Sequence, residues 1–497
     1  MKKRIVRCAL LYAFLCFLVG SAYPVLDEES YLFIAKQLAI ARPYDWSLPW
    51  PPYGDSYRYA HPPLFLFWIR LVSTIVGDHV LWIKLVAGLP FQLLLGGVMG
   101  WFCSSQHVLQ SDCTEETDTR DRLRSYWLWL CSPIVLLVGA RAAMPDLMYA
   151  ALGCLSMAIF CGTKSWKGRF LCGVFLGMAC WTKYPAFLLW IPILYASSWR
   201  SWIAIAFGFL CTWGCAEIWL WSIYERWHLA VVLSTADHVE RGELSGRTIG
   251  FMMRLLIACP MLLLVWFRFR SKRMILLALG IASVSSFFVP PLSTLETVVA
   301  IFWITLSLSA VIWCVRKLDF FALWLIVVLV GVCATHNFSS PRYLILGMIP
   351  LSIVVERNIR TISNIWIYPV LGLTLMISLL IGYSEHMHAH HTIKVFAQLP
   401  KDMTGMYSGE WTFRAAARAH GLSLWKGGKG MVLQPRQAVG GQLSSDFYVH
   451  KVYYTEEGYR FLLDRENSVG YYAETLGFWP LGWKKGPIEE LRLWKTP

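Results

Sequence analysis

The sequence predicts a mainly α-helical, polytopic membrane protein that ends in a small α/β domain. Of its 497 residues 57% are hydrophobic and only 15% are charged, and the mean hydropathy is +0.49. A soluble chain of this length could not bury so much apolar surface in a single core. Apolar runs of nearly twenty residues recur along the first 384 residues, and each is long enough to cross about 30 Å of hydrocarbon.

Thirteen of these apolar runs are predicted to be transmembrane helices. Their approximate positions are 5–23, 80–104, 126–140, 146–162, 168–182, 184–199, 201–224, 250–267, 274–289, 293–314, 319–335, 343–356 and 363–383. Runs that contain Pro133, Pro185 or Pro192 still count as spans, because neighbouring groups can satisfy the carbonyl that a proline leaves free. The first run has a second interpretation as a cleaved secretory signal, since basic, apolar and small residues follow one another in it.

The distribution of Lys and Arg predicts that the N-terminus lies in the cytoplasm. With that orientation every cytoplasmic turn carries basic residues, as at 2–7, 120–124 and 268–273, whereas the outer turn "PPLSTLE" (290–296) has none. The net charge of +14 is therefore largely a basic collar on the inner face, and it implies no nucleic-acid partner. An odd number of helices then places the residues after 384 on the extracytoplasmic side.

The fourteen cysteines predict neither a disulfide framework nor a zinc ribbon. Nearly all of them lie inside apolar runs, none follows Cys333, and no CxxC pair occurs. We therefore expect them to be small packing residues.

Residues 385–497 are predicted to form a separate small domain, because charges of both signs mix there and the apolar runs shorten. "GEWTFRAAARAHG" (409–421) is typical of a short helix that ends at Gly421, and "GMVLQPRQ" (430–437) of a strand. "HKVYYTEEGYRFLLD" (450–464) predicts a strand that leads into a helix. The four histidines of "EHMHAHH" (385–391) could bind a transition metal, but a polar junction between the last span and this domain is the favoured interpretation.

Ionisable residues from loops that are distant in sequence are predicted to share the outer face. They are Asp27, Glu28 and Glu29, Arg58 and His61, Arg141 and Asp146, Lys183, then His238, Glu240 and Arg241, and finally Arg342. Such groups at the ends of spans are costly unless they are paired or functional. Alone, Lys183 or Arg342 could reach the lipid headgroups, Asp146 could cap a helix, and the acids and His238 could simply be solvated. Together the residues favour a reaction site.

The segments that carry these residues resemble a known family. They are "LDEESYLFIAKQL", "YAHPPLFLFW", "RAAMPDLMYAALG", "GMACWTKYPAFLLWIP", "SPRYLILGMIP" and "YSGEWTFRAAARAHG". In this order they resemble the polytopic GT-C glycosyltransferases that use polyprenyl-phosphate sugars, among them the lipid A aminoarabinose transferases and the protein O-mannosyltransferases. His61 stands where the aminoarabinose branch has a lysine and Ala60 where it has an acid, which leaves the sugar and any metal site open.

The resemblance implies a GT-C-like bundle in residues 1–384, with juxtamembrane helices in a first outer loop at about 24–79, and a soluble outer domain in 385–497. It implies transfer of a sugar from a polyprenyl-phosphate donor to a hydroxyl of a lipid, glycan or protein. The reaction would be a direct, inverting displacement on the extracytoplasmic face of the plasma membrane. Such a displacement needs a base for the acceptor proton and cations for the phosphate that leaves.

The resemblance also assigns roles to residues. Asp27 would be the base, and Glu28 would either orient it or bind a divalent metal, for which His238 is a second candidate ligand. Asp146 would be a second acid that contacts the acceptor, the sugar or a metal. The residues expected to bind phosphate or substrate are Lys183, Arg342, Arg58, His61 and Tyr343.

Two other functions are compatible with a polytopic chain. A secondary transporter usually carries its acids near the membrane midplane on broken helices within paired halves, whereas here no internal repeat is evident and the charges gather at one surface. A flippase or polymerase of lipid-linked glycans would need no base of its own. Catalysed sugar transfer separates the first function from both others.

We predict that a topology reporter fused after residue 384 lies on the extracytoplasmic side, because the helix count and the basic inner loops both require it. The measurement compares a reporter active only outside the cytoplasm with one active only inside. A cytoplasmic signal would remove "LDEES" and the C-terminal domain from a shared outer face.

Overall fold

The computed structural model describes most of the chain. The described residues are 1–46, 56–59, 61–105, 119–235, 244–267, 294–335, 340–436, 443, 446–460, 463–464, 469–470, 482 and 484–496.

Helices make up most of the described residues. They are α1 Lys2–Val19, α2 Glu28–Gln37, α3 Leu64–Val76, α4 Val80–Ser104, α5 Thr119–Leu130, α6 Pro133–Ala140, α7 Pro145–Gly162, α8 Trp166–Thr182, α9 Trp190–Ala196, α10 Trp199–Phe209, α11 Cys215–Tyr224, α12 His228–Thr235, α13 Leu244–Ala258, α14 Leu262–Phe267, α15 Thr294–Val315, α16 Phe320–Thr335, α17 Met348–Ile359, α18 Asn364–Phe396 and α19 Thr412–Ala419. A π-helical turn at Leu210–Gly214 joins α10 to α11, so the two form one continuous helical span.

The chain is a polytopic α-helical membrane protein. Within the described residues five helices are long and apolar enough to cross a membrane: Val80–Ser104, Pro145–Gly162, Trp199–Tyr224, Thr297–Val315 and Asn364–Phe396. A sixth results if α5 and α6, which are bent by 61° at their junction, count as one span. The predicted spans 184–199, 250–267 and 319–335 coincide with shorter apolar helices, and those at 5–23, 168–182 and 343–356 overlap α1, α8 and α17. The span predicted at 274–289 lies outside the described residues. The total of thirteen therefore stays a prediction.

Prolines determine where two of the predicted spans begin. Tyr184–Leu189 and Pro341–Gly347 form 3-10 turns that lead directly into α9 and α17. Pro185 and Pro341 stand in the first turn, where a helix needs no N–H donor and where the fixed φ of proline suits it. The residues that flank these prolines are thereby held at helix ends.

Two glycines allow α8 and α10 to cross in close contact. A Cβ at Gly173 would collide with the carbonyl oxygen of Ile205, and a Cβ at Gly208 would collide with the carbonyl oxygen of Phe170. Close backbone approach through small residues is the usual way in which membrane helices pack, because lipid gives no hydrophobic drive for their association.

The C-terminal region is built around a sheet, and α18 enters it without a break. Because α18 continues to Phe396, the predicted domain boundary after residue 384 falls inside a helix. The strands are β1 Met406–Tyr407, β2 Ser423–Leu424, β3 Met431–Pro435, β4 Tyr448–Tyr454, β5 Glu457–Arg460, β6 Leu463–Asp464, β7 Val469–Gly470, β8 Lys484–Pro487 and β9 Glu490–Lys495. The main sheet has the strand order β2-β1-β3-β9-β4. Residues of α19 and of this sheet form a small hydrophobic core that is separate from the core of the membrane region.

The predicted elements of this region are partly confirmed. The helix within 409–421 and the strands β3 and β4 are present, and Gly421 follows α19 with a φ of +85°. The helix predicted after β4 is wrong, because Glu457–Arg460 instead pairs antiparallel with Lys484–Pro487. A strand partner so distant in sequence leaves no local signal, and pairing can override the local propensity.

We predict that Gly173→Ala destabilises the protein by about 1–3 kcal/mol or more, because the new methyl group overpacks a backbone contact. Thermal unfolding in detergent measures the effect. Gly372→Ala, in α18, is the matched control, since an added Cβ meets nothing within 4 Å there and alanine is the better helix former. Equal melting temperatures for the two variants would contradict the close crossing.

Candidate active site

The first loop presents three acids at the N-terminus of α2. Asp27 occupies the N-cap position, and Glu28 and Glu29 lie in the first turn, where the positive end of the helix dipole favours carboxylates. Leu26, directly before Asp27, has a φ of 54°, a left-handed conformation that is uncommon for leucine. From this turn the three neighbouring acids reach three different parts of the protein.

Asp27 contacts the segment that precedes α17. An Arg342 Nη atom donates to Asp27 Oδ2 at 2.9 Å, and the Asp27 side chain is 37% exposed. The same Nη atom lies 3.3 Å from the Tyr343 hydroxyl. Among the described residues the Asp27 carboxylate makes no other hydrogen bond or ion pair, so its Oδ1 atom is not engaged and can accept from a ligand. The structure therefore brings three of the predicted site residues together.

Glu28 is fully buried and binds only protein groups. Lys84 Nζ donates to Glu28 Oε2 at 2.7 Å, the amide of Val25 donates to the same oxygen at 2.9 Å, and the amide of Ala143 donates to Oε1 at 3.2 Å. The carboxylate thus ties the first loop to α4 and to the turn before α7. This environment favours a structural role for Glu28, with its charge balanced by Lys84.

A metal at Glu28 would have to compete with Lys84 for the carboxylate. The second predicted ligand, His238, lies outside the described residues. In the described part of the chain no three His, Cys, Asp or Glu side chains converge as metal ligands. The histidines of 385–391 lie in α18, where His386 and His390 contact Ser21 and the Tyr23 hydroxyl at 3.2 and 3.0 Å.

Glu29 binds the C-terminal domain. Its buried carboxylate lies 3.7 Å from a guanidinium nitrogen of Arg414 and also pairs with Arg418, both from α19. The Thr412 hydroxyl, at the start of the same helix, donates to the carbonyl of Pro24 at 2.6 Å. The C-terminal domain is therefore docked on the helix that carries the three acids.

Asp146 and Lys183 form a buried ion pair. Lys183 Nζ donates to Asp146 Oδ1 at 2.7 Å, and the two residues are only 2% and 4% exposed. The N-cap of α7 is Met144, so Asp146 does not cap the helix, and Lys183 is buried rather than extended to the headgroups. The Lys183 ammonium also lies 4.8 Å from the ring centre of Tyr343 and 5.5 Å from that of Tyr149.

Of the remaining predicted residues, His61 lies at the site and Arg58 does not. The His61 ring lies 5.7 Å from the Tyr31 ring and 5.4 Å from the Tyr59 ring, centre to centre, and it is close enough to act electrostatically on Asp146. Arg58 ends a 3-10 turn and is exposed, without an ion pair to any residue that the structure describes.

Several polar atoms at this site are buried but have no hydrogen-bond partner. Among the described residues these atoms include Asp146 Oδ2, Arg342 Nε and the Tyr149 hydroxyl. Buried polar groups are normally paired in native proteins, so each exception calls for an explanation. The charged residues thus enclose hydrogen-bonding capacity that the protein itself does not use.

Sequence reasoning missed two partners that neutralise buried charges, Lys84 for Glu28 and Glu385 for Arg141. Lys84 lies inside the apolar run 80–104, and Glu385, which pairs with Arg141, lies near the end of the last span. A lone charged residue inside an apolar run was the available signal, because such a group must find a partner.

A second polar cluster connects the site to a neighbouring loop. The Tyr184 hydroxyl lies 2.8 Å from Glu217 Oε1 and 2.6 Å from His228 Nδ1, and His228 Nε2 donates to the carbonyl of Tyr59 at 3.1 Å. Burial lowers the pKa of His228 to about 3, so the ring is neutral near pH 7. Because Tyr184 follows Lys183, this cluster holds one end of the site.

Comparison with solved structures finds the crystal structures of ArnT from Cupriavidus metallidurans. The structure of ArnT in the apo state matches this chain with 13% identity and a TM-score of 0.39. The structure of ArnT bound to undecaprenyl phosphate matches with 13% identity and a TM-score of 0.42. Each alignment covers 86% of this chain and 92% of that chain. No protein-family model and no curated protein sequence matches this chain.

We predict that Glu28→Gln lowers the free energy of unfolding by about 3–5 kcal/mol, because it leaves Lys84 buried without a counter-charge. Asp27→Asn should cost under about 1 kcal/mol, since that acid is partly exposed. Thermal or denaturant unfolding in detergent compares the two variants. The structural role of Glu28 would be wrong if both variants were equally stable.

Proposed function

We propose that this protein is a membrane glycosyltransferase that transfers a sugar from a polyprenyl-phosphate donor to an acceptor hydroxyl. The observation that carries the proposal is that two ion pairs lie in one site with unpaired buried polar atoms. Arg342 lies 2.9 Å from Asp27, and Lys183 lies 2.7 Å from Asp146. Acids and cations in this arrangement match the needs of a displacement at a phosphorylated sugar carbon. The resemblance of the sequence segments to GT-C enzymes supports the same class.

Asp27 is the proposed base. It is the most exposed of the three consecutive acids at the start of α2, and only one of its oxygens is engaged by Arg342. Its other oxygen can accept the proton of the acceptor hydroxyl while that hydroxyl's oxygen forms a bond to the anomeric carbon. The bond from that carbon to the lipid phosphate breaks in the same step, and the phosphate leaves with the electron pair.

Arg342 is the better candidate for the departing phosphate, and Lys183 supports the charge of the site. Arg342 retains a buried Nε–H without a partner, whereas the Lys183 ammonium is occupied by Asp146 and two aromatic rings. A fixed cation close to the breaking bond stabilises the negative charge that develops there. Asp146 Oδ2 remains for a hydroxyl of the sugar or the acceptor.

The position of these residues suits a substrate that is anchored in lipid. Asp27 follows the first membrane helix, Asp146 begins α7, Lys183 ends α8 and Arg342 precedes α17. Helix ends lie near the membrane surface, where a polyprenyl chain can stay in the hydrocarbon while its phosphate reaches the site. The positive-inside distribution supports the extracytoplasmic face for this reaction.

The test is sugar transfer by the purified full-length protein in nanodiscs. Labelled polyprenyl-phosphate sugars are incubated with lipid, glycan and peptide acceptors, and products are identified by mass. Inversion at the anomeric carbon supports direct displacement. Transport or scrambling of a lipid-linked glycan without transfer to any acceptor would favour a transporter or a flippase instead.

We predict that Asp27→Asn lowers the transfer rate by about 10²–10⁴-fold, because the amide keeps the shape of the side chain but cannot accept the proton. The melting temperature should stay close to that of the wild type. Asp78→Asn is the matched control, since Asp78 is a mostly exposed acid that pairs with Lys36 at 3.1 Å. Near-normal turnover of Asp27→Asn would move the role of base to Asp146.

A further inference from the structure

Tyr31 belongs to the proposed site, and the residue is only 4% exposed. Its ring packs edge-on against Phe65, at 5.6 Å between ring centres. Its hydroxyl has no hydrogen-bond partner among the described residues, but Asp27, Asp146 and Arg342 all act on it electrostatically. The Tyr31 ring also lies 5.7 Å from the His61 ring, centre to centre, so Tyr31 borders the site that these charged residues form.

The Tyr31 hydroxyl is available only as a neutral group. Burial, then the neighbouring Tyr59 and the charges of Asp27 and Asp146, raise the pKa of Tyr31 well above its ordinary value. The hydroxyl consequently keeps its proton near pH 7 and can donate it in a hydrogen bond.

Tyr149 lies beside the Asp146–Lys183 pair. It follows Asp146 by three residues, so that both side chains lie on one face of α7. The residue is fully buried, Lys183 lies over its ring at 5.5 Å, and its hydroxyl has no partner in the described part of the chain.

Several other buried tyrosines of this protein have partners, although the Tyr407 hydroxyl in the C-terminal sheet has none among the described residues. The hydroxyls of Tyr12, Tyr44 and Tyr57 donate to backbone carbonyls at 2.9, 2.9 and 2.7 Å. A buried hydroxyl without a partner is destabilising relative to the same ring without it. Phenylalanine would therefore suit the empty protein better at position 149, whose hydroxyl is buried without a partner. A ligand in the site would supply the acceptor that this hydroxyl and the Tyr31 hydroxyl lack.

The unused groups define the chemistry of that ligand. The Tyr149 hydroxyl and Arg342 Nε are buried donors without a partner, and the Tyr31 hydroxyl is a further donor. The cations of Arg342 and Lys183 belong to the same site. Several donors that converge next to positive charge match the oxygens of a phosphate. Asp146 Oδ2 is the unused acceptor, and it matches a hydroxyl attached near that phosphate.

We propose that the Tyr31 and Tyr149 hydroxyls donate hydrogen bonds to the phosphate of the lipid-linked donor. The inference rests on the proposed function, because it takes the donor class from it. Neither tyrosine changes its covalent state, and both act by holding the phosphate while its charge grows.

The experiment measures binding of undecaprenyl phosphate to the full-length protein in detergent, from the shift of the melting temperature with ligand concentration. Tyr31→Phe and Tyr149→Phe should leave the melting temperature of the empty protein unchanged or raised. Each should weaken undecaprenyl phosphate binding by about tenfold, the effect of a hydrogen bond to a charged group. If both hydroxyls share one phosphate oxygen, the fold loss of affinity in the double variant should be smaller than the product of the two single losses.

Two further tyrosines serve as matched controls. Tyr12→Phe removes a satisfied hydroxyl and should lower the melting temperature without changing affinity. Tyr407→Phe removes an unpartnered hydroxyl in the C-terminal sheet, so it should leave the melting temperature unchanged or raised and should not change the affinity. A lower melting temperature of the empty Tyr31→Phe and Tyr149→Phe proteins, equal to that of Tyr12→Phe, would show that both hydroxyls are already satisfied and would overturn the inference.

The outcomes separate this inference from the proposed function. Wild-type affinity in both Phe variants would overturn the inference alone. If undecaprenyl phosphate fails to stabilise even the wild type, the donor class is wrong and both proposals fall. Inorganic phosphate could also raise the melting temperature of the wild type as much as undecaprenyl phosphate does, with this shift lost in the Phe variants. That result would support the hydroxyl contacts to a phosphate but would reject a lipid-linked phosphate as the ligand.

Discussion

The arrangement of this protein depends on the need to neutralise acids that are buried at the ends of membrane helices. An unpaired charge in a medium of low dielectric is costly, and removal of one partner exposes the full penalty. Glu28 therefore requires Lys84, and Asp146 requires Lys183. Each pair joins segments that are far apart in sequence, so that the ion pairs determine which helix ends can be neighbours.

The first turn of α2 and its N-cap make three of the ion pairs of this protein. The consecutive acids bind three separate parts of the chain: Asp27 the segment before α17, Glu28 the helix α4, and Glu29 the C-terminal helix α19. Neighbouring helix residues point about 100° apart, which explains how one turn can serve three partners. The proposed base and the docking site of the C-terminal domain consequently belong to the same helix and its N-cap.

Much of the candidate site could be predicted because charge inside an apolar sequence is conspicuous. Asp27, Asp146, Lys183 and Arg342 were all recognisable as ionisable groups beside apolar runs, and the structure brings them together. Tyr31 and Tyr149 could not be distinguished from packing residues, because a tyrosine in an apolar helix is consistent with an ordinary core position. Only the absence of a partner for their hydroxyls in the folded protein marks them.

The sequence by itself determined the membrane class and the positions of most apolar helices, because hydrophobic length is a local property that the bilayer selects. Only the tertiary structure decided which acid is buried in an ion pair and which keeps an oxygen accessible to a ligand. Glu28 and Asp27 are adjacent and chemically alike, yet Glu28 is buried against Lys84 while Asp27 retains an accessible oxygen. The same holds for the chain after β4, where a distant strand replaced the predicted helix. Partner choice is a long-range property, and it is fixed by packing and charge balance across the fold.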